Sequence, residues 1–155
     1  MIKMKILDFL NQKTIITELK ATDKKGVLEE LTLPVSQITG TDHKELVRVL
    51  IERERLGSTG IGKGIGIPHG KLKGLESLVL GFGLSRKGVD FDAMDGKPTH
   101  IFFLLLTPES STDLHLKLLA RISKILKGES FTQKIQQAAD KEEVINLIQG
   151  VDEEF

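Results

Sequence analysis

The chain has 155 residues and a mass of 17.2 kDa, a length suited to one domain that buries about 70% of its extended surface and so needs no covalent staple. Its 22 basic and 22 acidic side chains cancel, and its seven Phe stand without Trp or Tyr. A general nucleic-acid binder, which needs basic excess and stacking platforms, is thereby excluded. The absence of cysteine rules out disulfides, thiolate metal sites and cysteine nucleophiles, and fits a reducing, cytoplasmic compartment. The longest apolar run, Ile101 to Leu106, is far short of the ~20 residues that span a bilayer, so no membrane insertion is expected.

Ile2 to Leu10 is a short opening dotted with apolar residues. Thr14 to Leu19 is a β-branched run that predicts a first strand. From Asp23 onward, Val27, Leu28, Leu31 and Val35 keep helical spacing, in a helix that Pro34 should kink or shorten. Asp42 and Glu45 have capping-box spacing ahead of Leu46, Val49 and Leu50, which predicts a helix ending near Leu56 and Gly57. Ser77 to Leu84 and Thr99 to Thr107 read as buried strands, the second apolar on both faces, with turn residues Asp95-Gly96 and Lys97-Pro98 between them. Leu118, Leu119, Ile122, Ile125 and Leu126 predict a helix over Asp113 to Lys127 that Gly128 stops. Two shorter helices follow over Phe131 to Ala139 and Glu142 to Gln149, the latter capped by Asp140. Without repeats or linkers, these elements predict an α/β fold over residues 1–155, a single-domain layered sandwich with a mixed central sheet and helices on both faces.

The chemistry concentrates in residues 57–70, Gly-Ser-Thr-Gly-Ile-Gly-Lys-Gly-Ile-Gly-Ile-Pro-His-Gly, which hold six of the 15 glycines. Such density suits either a series of tight turns or a loop that offers backbone N–H groups to an oxyanion. Neither common nucleotide motif fits. Gly57, Gly62 and Lys63 match a P-loop, but Gly64 stands where the hydroxyl belongs, and the preceding Ile51 to Arg55 is charged and helical rather than a buried strand. The dinucleotide fingerprint would need glycine at Ile65. At the end of the stretch Pro68 stiffens the backbone before His69, and Gly70 leaves room beside the ring. A neutral imidazole so presented has one nucleophilic nitrogen and accepts a phosphoryl group if the other nitrogen is held by an acceptor. A structural histidine is the plainer alternative.

The run from Arg53 to Lys71, through Leu56-Gly57-Ser58-Thr59-Gly60 and Ile67-Pro68-His69-Gly70, resembles the active-site signature of enzyme IIA of the bacterial phosphoenolpyruvate-dependent phosphotransferase system, in its fructose/mannitol/nitrogen-regulatory class. The resemblance spans nearly the whole chain and includes a later helix with a second histidine, as in Leu114-His115-Leu116. One departure is Gly66, where the family usually has alanine, a change expected to add flexibility beside His69 without removing a chemical group.

The resemblance implies that His69 takes phosphate from a small histidine phosphocarrier as a phosphoramidate, with Arg53 and His115 around the phosphoryl group. Elementary chemistry agrees, since such transfer rests on positioning and on stabilising charge at the equatorial oxygens. Arg53 offers a planar fork of donors, whereas Arg55 reads as a solvated helix charge. His115 lies in the first turn of its helix on the face of Leu118, Leu119 and Ile122, either as a core histidine or beside free N–H groups that attract an anion. Ser58 and Thr59 are either loop donors to phosphate or turn residues. His43 and His100 look incidental, no histidine spacing suits a metal, and no cofactor is expected. Downstream partners would be enzyme IIB or regulatory proteins. The Pro-His-Gly-Lys ending and the absence of attached IIB, membrane or phosphocarrier domains resemble the nitrogen-regulatory subgroup more than a sugar-uptake component. An interaction module that never carries phosphate is the alternative of a different class.

Overall fold

The computed structural model describes residues 5–152, so Ile2 to Met4 of the opening and the two ends of the 1–155 span lie outside the described residues. A single 3-10 turn, Ile6–Asp8, leads into strand β1, Leu10–Ile16. Helices α1, Lys24–Thr39, and α2, His43–Arg55, follow. The glycine-rich stretch then forms three short strands, β2 (Gly60–Gly62), β3 (Ile65–Gly66) and β4 (His69–Leu72). Long strands β5, Val79–Val89, and β6, Thr99–Pro108, precede helices α3 (Thr112–Leu126), α4 (Glu129–Gln136) and α5 (Lys141–Asp152).

The sheet is mixed and runs β1-β5-β6-β3-β2, with β4 also paired to β6. β5 and β6 are antiparallel, whereas β1 runs parallel to β5, and β3 and β4 run parallel to β6. Both faces are covered, as expected for an α/β sandwich, and β6 shows why its sequence is apolar throughout. Ile101, Phe103 and Leu105 face the core shared with α3, α4 and α5, while Phe102, Leu104 and Leu106 face α1 and α2. Period-2 alternation therefore points six consecutive apolar side chains into two separate cores.

Four expectations need correction. β1 begins at Leu10, not Thr14, because Asn11 to Lys13 form an irregularity in its pairing with β5, where Asn11 Oδ1 accepts from the Lys13 N–H at 2.8 Å; those exposed polar residues hide the strand. Pro34 does not shorten α1, which continues to Thr39. Its missing hydrogen bond costs roughly 3 kcal/mol, but burial of Val27, Leu28, Leu31 and Val35 contributes roughly 1.5–3 kcal/mol for each side chain. Asp42 makes no side-chain cap on α2, because the Glu45 N–H donates to the Asp42 backbone carbonyl at 3.1 Å, and the Glu45 carboxylate pairs with Arg48 on the next turn. For the glycine stretch the tight-turn alternative holds, and the reading as a loop that cradles phosphate needs correction. Lys63 and Gly64, with φ of 57° and 78°, turn β2 back on β3 in the left-handed conformation that a two-residue hairpin requires. At α5 the expected cap is present, with Asp140 Oδ1 accepting from the Glu143 N–H at 2.9 Å.

Candidate active site

β3 and β4 are two pieces of one edge line along β6, interrupted at Ile67-Pro68. Pro68 has no N–H to continue the ladder, yet its carbonyl accepts from Leu105 at 3.0 Å, and the Ile67 N–H donates to the Thr59 carbonyl at 3.0 Å. The backbone before His69 is thus fixed from both sides. His69 stands opposite Leu105 and Gly70 opposite Leu106, so His69 faces α3 and Gly70 faces α2. A Cβ on Gly70 would lie 2.7 Å from Val49 Cγ1. Glycine there lets α2 lie close on β4, and one turn beyond Val49 that helix carries Arg53.

Three of the residues expected at the site come together. The His69 Nδ1–H donates to the Ile67 carbonyl at 2.7 Å; a carbonyl only accepts, so the proton is on Nδ1 and the lone pair on Nε2. Arg53 Nε donates to that Nε2 at 3.3 Å, and Arg53 Nη1 donates to the Gly57 carbonyl at 2.9 Å. The His115 ring lies tilted at 57° to His69 with centroids 5.4 Å apart. His115 is buried, and its Nδ1 meets Thr107 Oγ1 at 2.8 Å. The His115 backbone N–H is occupied by the Ser111 carbonyl at 3.0 Å, so its contribution to an anion site would come from the ring. A cleft of about 600 Å³ opens here, lined by Arg53, Leu56, His69, Lys71, His115 and Leu116 among others.

Burial holds both imidazoles neutral. It lowers the His69 pKa below the ordinary histidine value, with the Arg53 charge adding to the effect against the opposing hydrogen bond to Ile67. His115 is pushed down to about 4, first by burial and then by His69 and Lys71. At neutral pH the cleft therefore offers a nucleophilic nitrogen, a guanidinium and a second uncharged ring.

Ser58 and Thr59 are not brought to this cleft. Ser58 Oγ donates to the Phe91 carbonyl at 2.7 Å. The Thr59 hydroxyl donates to Glu54 Oε2, whose partner oxygen accepts the Thr59 N–H at 3.1 Å and meets Lys24 Nζ at 3.1 Å. Both hydroxyls tie the loop to its neighbours. His43 is used between α1 and α2, its Nε2 2.9 Å from the Glu29 carbonyl, and His100 Nδ1 lies 2.8 Å from the Ser85 carbonyl. Arg55 is exposed, as a solvating helix charge should be. Gly66 is paired with Phe102 in β3, and a Cβ there would stand 3.2 Å from Thr99 Cγ2; a tight strand contact, rather than looseness, distinguishes the position. Among the described residues no group of three His, Asp or Glu is placed to hold a metal ion, and no helix is long and apolar enough to cross a membrane.

Three residues near the site escape sequence reasoning. Glu54 sits in an Arg-Glu-Arg run that reads as surface, yet it is buried; the available signal was its spacing of i+4 and i+8 from Leu50 and Leu46 on the buried side of α2. Lys71 lines the cleft and donates to Thr112 Oγ1 at 3.1 Å. Thr107 looks like one more strand residue.

The model of the phosphoenolpyruvate-dependent sugar phosphotransferase system, EIIA 2, matches residues 8–151. A nitrogen regulatory protein of Bradyrhizobium diazoefficiens is 37% identical over 145 residues, covering 94% of this chain and 95% of that protein. A fructose-specific EIIA component from Haloferax volcanii is 36% identical over 129 residues, covering 83% and 84% respectively. Among solved structures, the nitrogen regulatory protein IIA-Ntr from Neisseria meningitidis superposes with a TM-score of 0.86 at 33% identity, over 91% of this chain and 97% of that one.

Proposed function

The chain belongs to the phosphotransferase system EIIA 2 family, a family of phosphocarriers, and from that premise we propose that it carries its phosphoryl group on Nε2 of His69. The observation that carries this reading is the hydrogen bond from His69 Nδ1–H to the Ile67 carbonyl, which leaves the nucleophilic lone pair facing the cleft between Arg53 and His115. In the transfer, Nε2 attacks phosphorus in line as the bond from phosphorus to the donor imidazole breaks. That electron pair returns to the donor ring. The phosphorylated His69 ring then carries substituents on both nitrogens and positive charge, which the Ile67 carbonyl stabilises through Nδ1–H. Arg53, already on Nε2, moves only as far as the incoming oxygens and balances their charge.

The phosphoryl donor is a histidine phosphocarrier that docks around the cleft, where Leu56 and Leu116 are 85% and 58% exposed. Apolar side chains flanking a reactive ring suit a small, short-lived interface, at or below the low end of the ~1,200–2,000 Å² class. The acceptor side is regulatory, in keeping with Lys71 after His69-Gly70 and with the similarity to nitrogen regulatory proteins. Similarity to a fructose-specific EIIA component favours the second reading, delivery to an enzyme IIB for sugar uptake. Incubation with phosphoenolpyruvate, enzyme I and a phosphocarrier should produce acid-labile phosphate on the wild type and none on His69→Ala. Labelling that survives His69→Ala overturns the assignment, and no labelling of the wild type would favour a pure interaction module.

A further inference from the structure

An imidazole beside a phosphoryl acceptor assists as a donor only in the tautomer that turns its N–H toward the oxygens. At His115 that choice falls to Thr107. Thr107 is fully buried near the end of β6, and its hydroxyl lies 2.8 Å from His115 Nδ1. Two arrangements of the protons fit this distance. If the ring donated from Nδ1–H, the Thr107 hydrogen would need another acceptor, and the hydroxyl has no second partner among the described residues. A buried donor without a partner is costly. If the hydroxyl donates to Nδ1, its hydrogen is used and only an oxygen lone pair remains unpaired.

We infer that Thr107 is a positioning residue whose hydroxyl donates to His115 Nδ1 and so keeps the His115 proton on Nε2, ready to donate to the phosphoryl group. The inference rests on the reading of His69 as acceptor and adds a device to it. Two anchors then give the paired rings opposite tautomers. The Ile67 carbonyl keeps the proton of His69 on Nδ1 and bares its Nε2, while Thr107 bares Nδ1 of His115 and protonates its Nε2. A nucleophile and a donor result from two copies of one side chain, 5.4 Å apart. With the His115 pKa near 4 the ring is uncharged at neutral pH, so tautomer rather than charge decides whether it donates. The opposite tautomer would confront phosphate oxygens with a lone pair.

Nitrogen NMR of the unphosphorylated full chain at neutral pH reads the tautomer directly, and the rate of phosphate loading from the phosphocarrier reads its consequence. In the wild type His115 should show a protonated Nε2 and a bare Nδ1. Thr107→Val, which keeps the shape and removes the donor, should move protons to Nδ1 and slow loading of His69 about 10-fold, the low end of the loss seen when partners that orient metal-bound imidazoles are removed. Thr107→Ser should restore both. Protonated Nδ1 in the wild type, or a tautomer indifferent to Thr107→Val, overturns the inference. So does an unchanged loading rate after the tautomer has moved. Should Thr107→Val fail to fold, the wild-type and Thr107→Ser spectra still decide. Failure of His69 to load in any variant would count against the acceptor assignment, whereas the tautomer spectrum tests Thr107 independently of loading.

Discussion

Replacing Arg53 by alanine separates chemistry from fold at this site. Arg53 Nε lies 3.3 Å from His69 Nε2, the proposed attacking nitrogen, and its remaining hydrogen bond among the described residues runs from Nη1 to the Gly57 carbonyl. The stability lost is therefore modest, roughly 1–3 kcal/mol for two hydrogen bonds at the half-exposed end of a helix. On the proposed mechanism the transition state loses the cation hydrogen-bonded to Nε2. Removing one donor aimed at developing charge typically costs about 10²–10³ in rate, and Arg53→Ala is expected to slow phosphate loading by that factor. Protonation of His69 cannot imitate a loss of that size at neutral pH, because even at the ordinary histidine pKa of about 6.5 most of the ring is neutral at pH 7. Arg55→Ala, two residues on and exposed, is the control and should load at the wild-type rate. The assay is rapid-quench transfer from phosphorylated carrier, with urea unfolding of each variant alongside. Equal rates for Arg53→Ala and Arg55→Ala would refute the role, as would a slowing matched by loss of folded protein.

The neutral, buried His115 makes stability depend on acid. Its folded pKa of about 4 lies below the ordinary 6.5, so the unfolded state binds the proton more tightly; stability is full above about pH 6.5 and falls as pH drops toward 4, by up to ~3 kcal/mol. Urea midpoints across that range should show the fall, and His115→Gln should flatten it. Gly70→Ala places a methyl 2.7 Å from Val49 Cγ1 and should cost ~1–3 kcal/mol, partly recovered in a double variant with Val49→Ala; additive losses would contradict the close packing of α2 on β4. Chemical-shift mapping with an unphosphorylated phosphocarrier should perturb residues 60–70, Leu56 and the first turn of α3, and leave α4 and α5 unmoved; shifts confined to α4 and α5 would contradict the docking face.

β6 and α3 are legible in the sequence, one as an unbroken apolar run and the other by its helical apolar period, whereas β5 is legible only to Leu84, because the polar Ser85 to Lys87 that follow in Val79–Val89 hide its continuation. His69, Arg53 and His115 are legible through one signature and one helix face. The remainder depends on contacts between distant residues. Strands of two to four residues rich in glycine, such as β2 and β3, carry no alternation; Ile101 and Phe102 make β3 a strand, and β3 in turn pairs β2. Ser58 and Thr59 look like phosphate donors until Phe91 and Glu54 claim their hydroxyls. Glu54 looks solvated until the fold brings Lys24 and Thr59 to it. Thr107 gains meaning only from the ring that α3 lays against it.

Phosphate carried on Nε2 of His69, with Nδ1 still bound to Ile67, is the proposal on which the other roles depend. Phosphorus and nitrogen NMR of the chain after incubation with phosphoenolpyruvate, enzyme I and a phosphocarrier test it most directly. The expected result is one phosphoramidate, coupled to Nε2 of His69, with a proton retained on Nδ1. A phosphoryl group on Nδ1 of His69, on His115 or on any other side chain would contradict it.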